Sequence, residues 1–225
     1  MSSRRSCVSC ESAPVWYSFW KGLFGLWFRL QFRLRIEDRE HEPRNGPVLA
    51  VSNHVSAVDP LIVGVALRRR ARYMAKQELF RIPVLAVLLR SVGAFPVRRG
   101  EVDRQAVRRS LEALEQGDLL VMFPEGTRSP GGRLMSAEPG AALLALRTGA
   151  PVLPIAVIGT QHAMPKGARF PRRVPVVVRM GPPIAVPRRD GRLERSDLDE
   201  WGRRFMAAIA ALLPADQQPM KDAGS

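Results

Sequence analysis

The sequence predicts an α/β fold: a mostly parallel central sheet covered by helices on both faces, with an amphipathic helix ahead of it. Three observations predict it. From residue 47 onward, short apolar runs and helical stretches alternate, the order from which parallel sheets are built. The apolar runs are nearly continuous, as in Leu119-Leu120-Val121-Met122-Phe123, which suits strands buried on both faces. Ahead of them, Trp16, Trp20, Leu23, Trp27, Leu30 and Leu34 recur at steps of four, three, four, three and four, which is one face of a helix.

In chain order, residues 1–13 are polar and read as a disordered tail. Cys7 and Cys10 form a C-x-x-C there, with no second pair to complete a tetrahedral zinc site, so no metal is expected. Residues 14–36 hold the amphipathic helix, with Lys21, Gly25, Arg29 and Arg33 on the side away from the tryptophans. Its apolar runs fall short of the about 20 residues that span a bilayer. It also ends in Arg-rich sequence, not in a small-residue cleavage site. Aromatic residues and leucines flanked by Lys and Arg suit a helix lying in a membrane's headgroup region, with Trp16, Trp20, Leu23, Trp27 and Leu30 facing lipid. The alternative is that this face docks onto the chain's own domain.

The body, 37–215, carries expected strands at 48–52, 72–75, 92–97, 118–123, 152–158 and 174–180. Helices are expected near 60–70, 78–90, 101–116, 138–148 and 197–213, and a disordered tail at 216–225. Gly117 and Gly149 follow helical runs, where a left-handed C-cap is expected.

A chain of 225 residues, 46% hydrophobic, can bury one real core, which excludes global disorder. The net charge of +14 points to an anionic partner: nucleic acid, a lipid surface or a phosphorylated small molecule. With 31 arginines to 4 lysines, part of that charge can also follow genome base composition. A nucleic-acid-binding protein is the remote alternative. It would need a zinc motif, a recognition helix or stacking aromatics in the body of the domain, and none is recognisable.

Chemistry concentrates where expected strands end, the edge at which parallel sheets bind ligands. His54 follows the strand at 48–52, Glu125-Gly126-Thr127-Arg128 follows the one at 118–123, and "GAFPVRR" leads to Arg98 and Arg99. A carboxylate accepting from one imidazole nitrogen leaves the other free to take a proton, and Asp59 is placed to supply it across a tight turn. Asp59 also suits an N-cap, with Pro60 at the first helical position. There is no G-x-S-x-G elbow, no H-E-x-x-H, no P-loop and no G-x-G-x-x-G. The nucleophile is therefore expected to be a hydroxyl on a bound substrate.

These residues resemble a known family. "NHVSAVD" resembles the H-x4-D motif of the glycerolipid acyltransferases, and "FPEGTRS" their second signature. "GAFPVRR" looks like the third and "VLPIAVIGT" like the fourth, with Pro154 in place; the likeness covers roughly residues 35 to 187. The nearest branch is the 1-acylglycerol-3-phosphate acyltransferases, which make phosphatidic acid.

The resemblance implies that His54 deprotonates the lysolipid hydroxyl that attacks an acyl thioester, with no acyl-enzyme. Asp59 would orient His54 and stabilise the imidazolium. Arg99 and Arg128 would clamp the acceptor phosphate, Glu125, Gly126 and Thr127 would shape its pocket, and Ser52 and Asn53 would hydrogen-bond the reacting groups. No cofactor is implied, only acyl-CoA or acyl-carrier protein as co-substrate. The implied location is peripheral or monotopic on the cytoplasmic face of the cell membrane. One departure stands out: after "GRL" the family commonly has an aromatic residue and lysines before a glycine, where this chain has Ala137-Glu138-Pro139. That loss of cation points to an alternative acceptor, such as a lyso-ornithine lipid or a glycolipid.

Overall fold

The computed structural model describes residues 15–81, 83, 86, 93–97, 103–129, 132–163 and 172–219. The elements begin with α1 (Val15–Phe32), β1 (Arg35–Glu37), β2 (Val48–Ser52), α2 (Asp59–Ala66), β3 (Ala71–Lys76) and β4 (Ala94–Val97). They continue with α3 (Arg104–Glu115), β5 (Leu119–Met122), α4 (Gly140–Thr148), β6 (Val152–Ile158), α5 (Thr160–Ala163), β7 (Val177–Met180) and α6 (Arg195–Leu212). The strands form one sheet in the order β1-β7-β6-β2-β5-β3-β4.

The mostly parallel sheet predicted from the sequence is present. Every neighbouring pair is parallel except β6 with β7. Strand β2 shows why apolar runs without alternation belong here. Val48 and Ala50 join one core cluster, Leu49 and Val51 the other, so both faces of the strand are packed. Helices α1 and α2 cover the first face through Phe28, Phe32, Ile62 and Val63. Helices α3, α4 and α6 cover the second, with Leu114, Leu146, Trp201, Phe205 and Ile209. Phe32 and Phe205 are fully buried, each worth roughly 1.5–3 kcal/mol of transfer free energy.

The structure adds two features to the sequence expectation. β7 runs antiparallel to β6, and β1 joins as an edge strand that the charged tripeptide Arg35-Ile36-Glu37 did not announce. Charge on an edge strand discourages pairing with other chains. The opposite edge, β4, carries Pro96, whose missing N–H an edge strand tolerates. Both expected glycine caps form. Gly149 (φ 68) donates its N–H to Ala145 O at 2.8 Å, and Gly117 (φ 84) donates to Leu114 O at 2.9 Å.

Of the expected helix at 78–90, a 3-10 turn over Gln77–Arg81 is present, and most of the rest lies outside the described residues. The tails at 1–13 and 220–225, with Cys7 and Cys10, also lie outside them. At the C-terminal boundary, packing continues past 215: Ala215–Gln217 form a 3-10 turn, Gln217 is buried, and its carbonyl accepts from Leu134 N at 3.0 Å.

Helix α1 ends two residues before the stripe suggested, because Arg33 turns to φ 44 and directs Leu34 into the core. The helix docks through Phe28 and Phe32, whose rings stack at 5.5 Å, while Leu23, Leu26, Trp27 and Leu30 are exposed. The residues that dock, Phe28 and Phe32, lie outside the predicted stripe, of which Leu23, Trp27 and Leu30 are exposed and Leu34 is buried. The side chains of Trp16 and Trp20 are outside the described set. Among the described residues, no helix is long and apolar enough to cross a membrane.

Candidate active site

The sheet register brings the site together. Val51 of β2 pairs with Met122 of β5, and His54 and Glu125 each lie three residues beyond that pair on the same edge. Asn53 fixes the end of β2 sideways against β6. Its side-chain nitrogen donates to Val157 O at 2.9 Å and its oxygen accepts from Val157 N at 2.7 Å. The amide is therefore spent on holding the scaffold. Ser52 Oγ, buried, donates to Asn53 O at 3.2 Å. Each side chain thus makes its observed hydrogen bonds to backbone.

His54 Nδ1 lies 2.9 Å from Asp59 Oδ2, with the two side chains 7% and 0% exposed. The same oxygen accepts from Val55 N at 2.8 Å and Ser56 N at 2.7 Å. An ionised carboxylate oxygen is only an acceptor, so the Nδ1 facing it carries the proton and Nε2 keeps its lone pair. Val58, not Asp59, occupies the N-cap of α2, and no side chain caps this helix. Asp59 is the first helical residue, and its carboxylate turns back into the loop instead of forward onto α2. Asp59 Oδ1 is buried without a hydrogen-bond partner among the described residues.

Phe123 stacks on the imidazole, ring centres 4.3 Å apart and planes 29° from parallel. Glu125, 3% exposed, reaches the same loop from the other strand. Its Oε1 accepts from His54 N at 2.7 Å and its Oε2 from Met135 N at 3.0 Å. Ser129 N closes the circuit by donating to His54 O at 2.8 Å. Both oxygens of Glu125 thus bind backbone, and the residue ties three loops together. Gly126 (φ 68), Thr127 and Arg128 form the exposed turn that follows. Arg128 makes no ion pair with any described residue, while Arg99 lies outside the described residues. His41, outside every motif, binds Met180 O through Nδ1 at 2.9 Å.

Sequence reasoning found the titratable members of this site but not Phe123, Ser129 or the Asn53 clamp. Phe123 was visible as an aromatic residue at the very end of an apolar run. The clamp depends on which strand lies beside β2, and that was not visible.

Burial pushes the Glu125 carboxyl above its ordinary value, and the two backbone N–H bonds offset this only in part. With the folded-state value raised, its contribution to stability is fully present below the ordinary glutamate range and is lost as pH rises through the folded value. Glu125→Gln keeps one acceptor but sets an NH2 against a backbone N–H. It should lower stability by about 1–3 kcal/mol in acid, a deficit that shrinks as pH rises. Denaturant unfolding of both proteins across a pH series measures it; a deficit that grows with pH would contradict the assignment.

A buried, carboxylate-held imidazole thus stands at the ligand-binding edge of an α/β sheet, beside the exposed turn that carries Arg128, an arrangement suited to taking a proton from a bound substrate. The Acyltransferase family model matches residues 33–158, spanning this whole arrangement, and the chain belongs to that family. It is 34% identical over 140 residues to the chloroplastic 1-acyl-sn-glycerol-3-phosphate acyltransferase LPAT1 of Arabidopsis thaliana, covering 61% of this chain and 39% of that protein. A 1-acyl-sn-glycerol-3-phosphate acyltransferase of Borreliella burgdorferi is 28% identical over 156 residues, 68% of this chain and 62% of that one. The crystal structure of the 1-acyl-sn-glycerophosphate acyltransferase PlsC from Thermotoga maritima has the same fold, with TM-score 0.69 and 25% identity. That match covers 87% of this chain and 76% of the other. The chain spans less than two thirds of the length of these curated sequence relatives.

Proposed function

We propose that the protein is an O-acyltransferase that moves a fatty acyl group from an acyl thioester to the free hydroxyl of a lysophospholipid. The favoured acceptor is 1-acylglycerol-3-phosphate, giving phosphatidic acid. The observation that carries this is the 2.9 Å contact of His54 Nδ1 with Asp59 Oδ2, which leaves Nε2 for a substrate proton beside the Arg128 turn. Nε2 takes the hydroxyl proton as the oxygen attacks the thioester carbonyl; the new C–O bond forms, the C–S bond breaks, and the imidazolium returns its proton to the departing thiolate. Asp59 stabilises the imidazolium between those events. No acyl-enzyme is needed, and the Ser52 and Ser129 hydroxyls are already donated to Asn53 O and Arg133 O. Arg128, with Arg99, holds the acceptor phosphate, a geometry suited to guanidinium groups. Acyl-CoA or acyl-carrier protein supplies the thioester, with no cofactor.

In this account the enzyme docks on the cytoplasmic face of the cell membrane. Among the described residues, the large exposed hydrophobic side chains are Leu23, Leu26, Trp27 and Leu30 of α1 and Leu61 of α2. Leu61 stands two residues from Asp59, so the apolar patch runs up to the catalytic loop.

A second reading, the same chemistry on a lyso-ornithine lipid or glycolipid, rests on Glu138. Its Cγ lies 3.1 Å from where a Cβ on Gly126 would stand, so a carboxylate stem packs against the anion-binding turn. Purified protein with a labelled acyl donor and a panel of lysolipids tests both. Fastest acylation of 1-acylglycerol-3-phosphate is expected. A lyso-ornithine acceptor that outpaced it would favour the second reading, and failure with every lysolipid and both donors would overturn the first.

A further inference from the structure

We propose that a cleft at the sheet edge opposite His54 binds the phosphate of an anionic phospholipid headgroup, a lipid contact separate from the catalytic one. The cleft, about 420 Å³, is lined by Glu42, Arg44, Arg68 and Arg69. Asp59 opens α2 at the catalytic edge, and Arg68 and Arg69 follow the helix's far end. Arg69 also donates to Pro43 O at 3.3 Å and to Gly117 O at 2.7 Å, just before β2 and β5 begin. The site is built rather than incidental. Glu42 is 2% exposed, and its two oxygens accept from Arg68 N at 2.6 Å and Arg69 N at 2.8 Å, so it sets the loop's shape.

Cations outnumber that carboxylate. Three arginines line the cleft with one glutamate, and Arg39 and Arg29 stand close enough for Arg39 to feel both Glu42 and the repulsion of Arg68 and Arg29. Arg39 Nε is shut off from solvent with no hydrogen-bond partner among the described residues. Burial lowers the values of the Arg39 and Arg69 guanidinium groups, as expected of cations drawn from water. Asp118 also acts on Arg69, and a phosphate entering the cleft would offset the repulsion among the arginines that line it.

The occupant follows from the neighbourhood. Arg29 is exposed on α1 three residues after the exposed Leu26, its neighbour on the helix surface, so the cationic cluster borders one side of the apolar face proposed above to dock on the bilayer. A cluster at that margin sits at the depth of lipid phosphates. The inference rests on that docking, and the experiment separates the two.

The full-length protein is sedimented with vesicles of phosphatidylcholine alone and with vesicles containing phosphatidylglycerol. The native chain is compared with Arg44→Glu/Arg68→Glu, with a charge-matched control, Arg192→Glu/Arg203→Glu on the far side, and with Leu26→Ser/Leu30→Ser. The native chain should prefer the anionic vesicles. The cleft variant should lose about tenfold or more of that preference, the control should keep most of it, and turnover of a short-chain soluble acceptor should be unchanged in both. Equal losses in cleft variant and control would overturn the cleft assignment and leave only general charge attraction. Release of the native chain from anionic vesicles by millimolar inorganic phosphate, at constant ionic strength, would show a free-phosphate site and also overturn it. If only the leucine variant lost binding, docking would stand and the cleft would fall. If the native chain bound neither vesicle, both would fall.

Discussion

Replacing His54 with alanine should lower kcat by about 10³-fold, the middle of the range for removing a positioned general base. The acceptor KM should move little, because the groups proposed to hold the phosphate, on the 125–128 turn, are left in place. The fold should survive the change. Asp59 Oδ2 keeps its bonds from Val55 N and Ser56 N, and the backbone links of residue 54 to Glu125 and Ser129 do not involve the ring. What is lost is the imidazole's packing on Phe123, so a modest fall in the unfolding midpoint should accompany the kinetic defect. Steady-state kinetics on the folded variant checks this; wild-type turnover would remove His54 from the chemistry.

Asp59→Asn should be nearly as damaging, on the order of 10²- to 10³-fold in kcat, though its shape is almost unchanged. The asparagine oxygen can take the place of Oδ2 and accept from Nδ1 and from the Val55 and Ser56 amides, but its NH2 then stands at the buried Oδ1 position, which has no partner among the described residues. No negative charge would then stabilise the imidazolium as it forms. The defect should be non-additive: the double variant with His54→Ala should be no slower than His54→Ala alone, since the two side chains act as one unit. A double variant slower by the product of the two losses would show that Asp59 acts independently of His54.

How much of this was legible in the sequence depended on whether the signal was local. Strands β2, β5 and β6 announced themselves because burial on both faces leaves no polar residue to blur an apolar run. The His54–Asp59 pair was legible because both groups sit in one loop, five residues apart. Strand direction was not: Val177–Met180 was foreseeable as a strand, but its antiparallel course depends on the path from β6. Glu125 was marked as functional, yet both its partners are backbone amides, His54 N and Met135 N, supplied by other loops. The clamp of Asn53 was hidden for the same reason, its partner Val157 being 104 residues away. On α1 the period of the stripe was right, but the true burial was set by where Arg33 breaks the helix and by the Phe28–Phe32 pair behind it.

Nitrogen NMR of the His54 ring tests the proton's placement most directly. In the neutral ring of the native protein, Nδ1 should carry the proton and Nε2 should be bare. A neutral ring carrying its proton on Nε2 in the native protein would contradict it.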